Sequence, residues 1–145
     1  MIGNCVIPSA TGCVAHSDGD VLIHALIDAL LGALALGDIG SYFPDSDSKL
    51  KNISSAELLK KVLHLTEFEK SSIINVDFTI HLEQPKLRPF ITQIRSTLAE
   101  LLNCDIQKVS VKAKTSEGLG PIGKGEAIAC DCVALLSFKS IESVD

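Results

Sequence analysis

No stretch limits this chain more than Val21 to Leu36. Apolar residues occupy almost every side of it: Val21, Leu22, Ile23, Ala25, Leu26, Ile27, Ala29, Leu30, Leu31, Ala33 and Leu34. The sequence therefore predicts a helix buried all round. Asp20, His24 and Asp28 recur at i, i+4 and i+8, which draws one polar line along it. Each of those side chains costs free energy in such a place unless it finds a partner. Ser17 followed by Asp20 has capping-box spacing and sets the helix start, and a carboxylate in the first turn suits the helix dipole. His16 and Ser17 then fall at a helix N-terminus, where free backbone N–H groups suit a phosphate. A capped, buried helix whose His and Asp residues satisfy one another fits the same residues, and the stretch alone leaves both readings open.

The remaining composition bounds the setting. A chain of 145 residues, 46% apolar and 21% charged, is expected to form one globular domain with a full core. A net charge of -5 argues against a nucleic-acid surface, which would carry a basic patch. His24 and Asp28 interrupt the apolar run, so it is not expected to span a membrane. The amino-terminal residues show no signal or transit pattern. Five cysteines (Cys5, Cys13, Cys104, Cys130 and Cys132) form no C-x-x-C pair; they predict a reducing compartment and buried small hydrophobes. Cys130 and Cys132 would share one face of a strand, a weak sign of metal.

Taken in order, Met1 to Pro8 is too short for a strand, turn and strand before the first helix. Gly37 is expected to end that helix. Asp38, Asp45 and Asp47 lie within ten residues, suited to cations or sugar hydroxyls, although a solvated turn is the commoner explanation of such a cluster. Ser54 with Glu57 starts a second helix, amphipathic, with His64 exposed. Ile74, Val76, Phe78, Ile80 and Leu82 then alternate with Asn75, Asp77, Thr79, His81 and Glu83, a strand with one core face and one polar face. Pro89 opens a third helix that runs to about Leu102 with Asn103 as its stop. Ile106 to Lys114 and Ile128 to Phe138 are two more strands. Helix, helix, strand, helix, strand, strand predicts an α/β sandwich: a small mixed sheet covered by helices on one side.

Thr115-Ser116-Glu117-Gly118-Leu119-Gly120-Pro121-Ile122-Gly123-Lys124-Gly125-Glu126 joins the last two strands. Its glycines, hydroxyls, acid and lysine suit a phosphate loop, but it is no Walker sequence. As a glycine-rich hairpin loop it reads equally as a flexible connection.

Together these segments resemble one family in order and spacing. His16-Ser17-Asp18-Gly19-Asp20 with His24, Gly37-Asp38-Ile39-Gly40 and Phe43-Pro44-Asp45-Ser46-Asp47 carry the first half of the likeness. Gln84-Pro85-Lys86, Val111-Lys112-Ala113 through Thr115-Ser116-Glu117, and Gly123-Lys124-Gly125-Glu126 carry the second. The family is the 2-C-methyl-D-erythritol 2,4-cyclodiphosphate synthases of the non-mevalonate isoprenoid pathway, and the likeness extends from about Val6 to Phe138.

The resemblance implies a homotrimer whose sheets line a central cavity, open to an isoprenoid diphosphate, with active sites between neighbouring subunits. It implies a cytidine diphosphate substrate whose own 2-phosphate attacks the β-phosphate and releases CMP, with Zn2+ and Mg2+ or Mn2+ as Lewis acids. By position, His24 matches a zinc ligand and Glu117 the ligand of the second metal. His16 and Thr115 match the groups that stabilise the transition state, and Ser17 lies beside the phosphate. Asp38, Ile39 and Gly40 match the ribose site; Phe43, Pro44, Asp45, Ser46 and Asp47 match the loop at the methylerythritol end. Pro85, Lys86 and Leu87 with Lys114 and Thr115 match the cytosine and phosphate pocket, and Ser116, Pro121 and Lys124 are further substrate-binding positions. Phosphoryl transfer needs positioning and charge neutralisation more than covalent help, and bound cations would let an acidic protein hold so anionic a substrate. The implied compartment is the bacterial cytoplasm or a plastid stroma.

Three departures stand out. The family's Asp-x-His strand, which supplies the other zinc ligands, has no counterpart before His16, where the only soft donors are Cys5 and Cys13. Weak zinc binding and slow turnover are expected from that. Pro121 replaces an aromatic residue and Lys124 an Arg, which keeps the charge but loses the bidentate fork. A second reading is a non-catalytic trimeric protein that keeps the cytidine-nucleotide or isoprenoid pocket without the zinc.

Overall fold

The computed structural model describes residues 1–10, 12–13, 18–44, 46–47, 50 and 53–138. Helix α1 (Val21–Ala33) buries Leu22, Ile23, Leu26, Ile27, Leu30 and Leu31 completely. It is not buried all round: Asp28, Gly32 and Ala33 are exposed, and His24, Ala25 and Ala29 are half-buried. The sheet and helix α3 (Ser55–Leu63) cover its large aliphatic side chains, leaving small and polar residues on the uncovered flank. Asp20, not Ser17, is the N-cap: its carboxylate accepts from the Ile23 N–H at 3.2 Å. The helix ends on Ala35 in the left-handed conformation (φ 57°) rather than on Gly37. Leu36 N–H bonds Leu31 C=O at 2.9 Å and Ala35 N–H bonds Gly32 C=O at 3.0 Å, the Schellman pattern that satisfies orphan carbonyls.

Three strands form one mixed sheet in the order β2-β1-β3: β1 is Ser71–His81, β2 is Val109–Lys114 and β3 is Ala129–Phe138. β1 pairs with β2 in parallel and with β3 antiparallel. Phe78 sits between Val111 and Cys132 on the core face, and Ile80 between Ala113 and Cys130. β1 starts earlier than its alternation suggests, and a register shift between Ile73 and Asn75 changes which residues face inward. Ile73 and Val76 are buried while Ile74, expected in the core, is 44% exposed. An inserted residue in one strand turns the side chains beyond it to the other face.

Helix α5 (Ile91–Leu101) carries the chain from β1 to β2 and packs on β2. Pro89 belongs to a 3-10 turn, Arg88–Phe90, ahead of the helix proper. Asn103 is the stop, at φ 48°. Residues Ile106–Lys108 form another 3-10 turn capped by Asp105, so β2 begins at Val109 rather than Ile106. Ser54 caps α3 through the Glu57 N–H, and His64 beyond it is exposed. Three short helices complete the described residues: α2 (Ile39–Tyr42), α4 (Thr66–Glu69) and α6 (Gly120–Gly123). No helix among the described residues is long and apolar enough to cross a membrane.

With α1 and α5 on one face of the sheet, the other carries the polar residues of β1. Lys112 pairs there with Asp77, and His81 Nε2 lies 3.0 Å from Asp131 Oδ2. Val133 and Leu135 are also exposed there, whereas Phe138, opposite the buried Ser71, is exposed at the end of β3.

Candidate active site

The parallel strands β1 and β2 end side by side, and the site begins where they stop. Their ladder closes with His81 beside Lys114, extended by Leu82 N–H to Lys114 C=O at 2.9 Å. Beyond it the two chains diverge into separate turns, and a cleft of about 490 Å³ opens between them. Four expected site residues, Lys86, Leu87, Lys114 and Thr115, line this cleft together. Leu82, Leu87, Ile91 and Val111 supply apolar surface, whereas Lys86, Arg88, Thr92, Lys114 and Thr115 supply cations and hydroxyls. An apolar surface with a few convergent polar groups suits a flat ring joined to an anionic tail. Arg88 and Thr92 were not singled out in the sequence. Their i, i+4 spacing, from the 3-10 turn into the first turn of α5, was the available signal, but a solvated helix face explains it as well.

The segment after β2 is neither a hairpin nor a loose connection. β2 and β3 lie on opposite sides of β1, so the chain must cross the end of the sheet between them. It crosses as a folded loop. Leu119 N–H bonds Ser116 C=O at 2.8 Å, Gly123 N–H bonds Leu119 C=O at 3.0 Å, and Glu126 N–H bonds Pro121 C=O at 2.8 Å. A side chain on Gly123 would overlap the Gly118 backbone, so the missing side chain of Gly123 permits a close approach. At the head of the loop, Thr115 Oγ1 donates to Glu117 Oε1 at 2.6 Å. Glu117 is exposed and holds the left-handed conformation at φ 51°, uncommon for a residue with a side chain. Ser116 is half-buried, and its N–H donates to Glu83 Oε2 at 3.0 Å. Pro85 precedes Lys86 after a cis peptide bond. Pro121 and Lys124 lie on and just after α6, exposed, and do not line the cleft.

None of the described residues from 38 to 47 lines the cleft. Asp38 caps α2: its Oδ1 accepts from Ser41 Oγ at 2.7 Å and from Ser41 N–H at 2.9 Å. The hydroxyl first and the N–H second hold its carboxyl below the usual range despite some desolvation. Asp28, the far member of the polar line on α1, accepts from Ile39 N–H at 2.8 Å, so it anchors this loop. Gly40, Pro44, Ser46 and Asp47 are exposed; Phe43 is half-buried with Lys61 Nζ 5.9 Å from its ring centre. Asp47 N–H bonds Pro44 C=O at 2.9 Å, and Asp45 lies outside the described residues. The cleft and this loop are therefore separate assemblies within one chain, the loop held from the C-terminal half of α1.

A family model, the YgbB family, matches residues 1–137. The chain belongs to this family, the 2-C-methyl-D-erythritol 2,4-cyclodiphosphate synthases. The synthase of Haemophilus ducreyi is 52% identical over 141 residues, covering 97% of this chain and 88% of that protein. The synthase of Brachyspira hyodysenteriae is 55% identical over 136 residues, 94% of this chain and 86% of that protein. Among solved structures, the bifunctional IspDF of Campylobacter jejuni superposes with a TM-score of 0.90 at 40% identity; this chain is matched over 97% of its length and spans 38% of that one. A CDP-bound 2C-methyl-D-erythritol-2,4-cyclodiphosphate synthase superposes with a TM-score of 0.85 at 35% identity, covering 94% of this chain and 89% of that one.

In this synthase-family chain the two acids just before α1, Asp18 and Asp20, hold the fold together. Asp20 is fully buried; besides capping α1 it accepts from Gly3 N–H at 2.9 Å and from Asn4 N–H at 2.6 Å, fastening the amino-terminal turn to the helix. Asp18 accepts from the Ser55 N–H at 2.9 Å and from the Ser55 hydroxyl, which ties α3 to the start of α1. Burial opposes ionisation of Asp18, but both Ser55 bonds, the Asp20 N–H and the charge of nearby His24 together hold its carboxyl below the ordinary 3.8. His24 is half-buried on α1. His16 and Ser17 lie outside the described residues. Among the described residues no three His, Cys, Asp or Glu side chains converge as a metal site, so a zinc set does not fit them. Cys130 and Cys132 stand on the core face of β3; burial first, then neighbouring negative charge, pushes both thiols up to about 12. Glu117 differs from these: an exposed carboxylate beside Thr115 at the cleft mouth suits magnesium, which takes one or two carboxylates plus substrate phosphates.

Proposed function

We propose that this chain cyclises 4-diphosphocytidyl-2-C-methyl-D-erythritol 2-phosphate to 2-C-methyl-D-erythritol 2,4-cyclodiphosphate and releases CMP. The carrying observation is the cleft in which Lys86, Leu87, Lys114 and Thr115 meet, in a chain 52% identical to a protein of that name and similar to a CDP-bound structure. The apolar surface takes the cytosine, and the cations at the rim take the phosphates. An oxygen of the substrate's 2-phosphate forms a bond to the β-phosphorus; the bond from that phosphorus to the bridging oxygen breaks, and CMP leaves with the electron pair. The attacking phosphate is already a nucleophile, so the protein's task is to align it and neutralise charge. Once Glu117 turns to a cation, the freed Thr115 hydroxyl donates to an oxygen of the diphosphate, and Lys114 and Lys86 offset its charge. Glu117 would hold a magnesium or manganese ion, whose chemistry when bound is to withdraw charge from the diphosphate oxygens.

The assembly belongs to the same proposal. A homotrimer, packed through the face of the sheet opposite α1, would bring the loop of residues 38 to 47 from one subunit to the cleft of the next. It would also enclose a central cavity suited to an isoprenoid diphosphate.

Calorimetric titration with CDP and UDP, with Mg2+ and with a chelator, tests the site. CDP is expected to bind about tenfold or more tightly than UDP, and Glu117→Gln should remove most of the Mg2+-dependent gain. Equal affinity for the two nucleotides overturns the pocket assignment. Firm CDP binding with no CMP formed from the diphosphocytidyl substrate supports the non-catalytic reading instead.

A further inference from the structure

Glu83 belongs to neither group of expected site residues, yet it touches the turns on both sides of the cleft. It follows β1 by two residues, half-buried, at the point where the strand gives way to the Gln84-Pro85-Lys86-Leu87 turn. Its carboxylate Oε2 accepts from the Ser116 N–H at 3.0 Å. Its own backbone carbonyl accepts from Lys86 Nζ at 3.2 Å. Ser116 C=O in turn accepts from Leu119 N–H at 2.8 Å, so both backbone groups of Ser116 are engaged. Thr115 and Glu117, bonded to each other at 2.6 Å, flank that fixed residue. Glu117 also holds φ 51°, a conformation that persists only where its surroundings determine it.

We infer that Glu83 is a positioning residue that sets the Thr115 hydroxyl and the Glu117 carboxylate relative to the Lys86 turn. This rests on the cyclodiphosphate-synthase reading of the cleft. Without an acceptor for its N–H, the Ser116 turn loses the side-chain bond that fixes it to the end of β1. The Glu117 carboxylate then samples positions from which it cannot share a cation with the nucleotide's phosphates. The apolar surface of Leu82, Leu87, Ile91 and Val111 is untouched, so binding of the base persists. The role requires an oxygen acceptor at that distance and does not require the negative charge.

The test compares CDP affinity with Mg2+ and with a chelator in the wild type and in Glu83→Ala, Glu83→Gln and Glu83→Asp, alongside thermal unfolding. In Glu83→Ala the Mg2+-dependent gain should fall by about tenfold or more, the usual cost of losing a group that orients a metal ligand. Affinity in chelator and the unfolding temperature should stay near wild type. Glu83→Gln keeps an oxygen for the Ser116 N–H and should restore the gain; Glu83→Asp draws the acceptor back by one carbon and should not. If Glu83→Ala fails to fold, Glu83→Asp carries the same expectation. Wild-type behaviour of the Ala or Asp variant overturns the inference. So does a Gln variant as weak as Ala, since that would make the charge itself the ligand. Absence of CDP binding in the wild type overturns instead the reading on which the inference rests.

Discussion

Among single residues, the acids around the start of α1 show how chemistry and architecture compete for the same side chain. Asp18 and Asp20 sit in the motif that carries the family resemblance, yet the structure employs both as staples: Asp20 for the amino-terminal turn and Asp18 for α3. A carboxylate that accepts several N–H or O–H bonds is stabilised in its charged form. Because Asp18 titrates below the ordinary 3.8 in the folded protein, its contribution is present above that pH and is lost as pH falls toward its lowered value. Asp18→Ala should therefore cost about 1–2 kcal/mol at pH 7, measured by urea unfolding at one protein concentration. The gap from wild type should narrow as unfolding is repeated at progressively lower pH below 4. A gap independent of pH would show that Asp18 acts through packing alone.

At the level of elements, the ends matter more than the middles. The aliphatic run of α1 and the alternation of β1 each specify an element, but a bulge at Ile73/Asn75 and a cap at Ala35 decide where each begins, ends or turns over. Ala35 occupies the position usually given to glycine, with a left-handed backbone that opposes its Cβ. Ala35→Gly should raise stability by about 0.5–1 kcal/mol, the relief of strain exceeding glycine's greater freedom in the unfolded chain. A thermal or urea midpoint unchanged or lowered in that variant would mean that the Schellman turn carries no strain. The crossing loop after β2 makes the complementary point. Its glycines read as flexibility, whereas Gly123 is there so that the Gly118 backbone can approach.

For the molecule as a whole, the sheet has one covered face and one open one. On the open side Val133 is 69% exposed and Leu135 58%, next to the His81–Asp131 and Lys112–Asp77 pairs. A stripe of large apolar residues bordered by paired charges is what a subunit interface presents. Sedimentation should give a trimer at micromolar concentration. Leu135→Asp, which would place a charge in that interface, should shift the population toward monomer and weaken CDP binding in parallel. A stable wild-type monomer would overturn both the assembly and a site shared between subunits.

The sequence by itself determined the elements whose signal is local. The caps at Ser54 and Asn103, the apolar helix after Asp20 and the period-two strands all depend on neighbours within a few residues. Only the tertiary structure decided what depended on distant partners. Strand β1 lies between β2 and β3, which converts an apparent hairpin loop into a crossing loop. Asp18 is bound to a serine 37 positions away. Glu83 reads as one more polar residue in an alternating strand, and its partner is 33 positions on. The physical reason is the same each time. Periodicity reports which face of an element avoids water, but a hydrogen bond between two turns exists only after the sheet has brought their ends together.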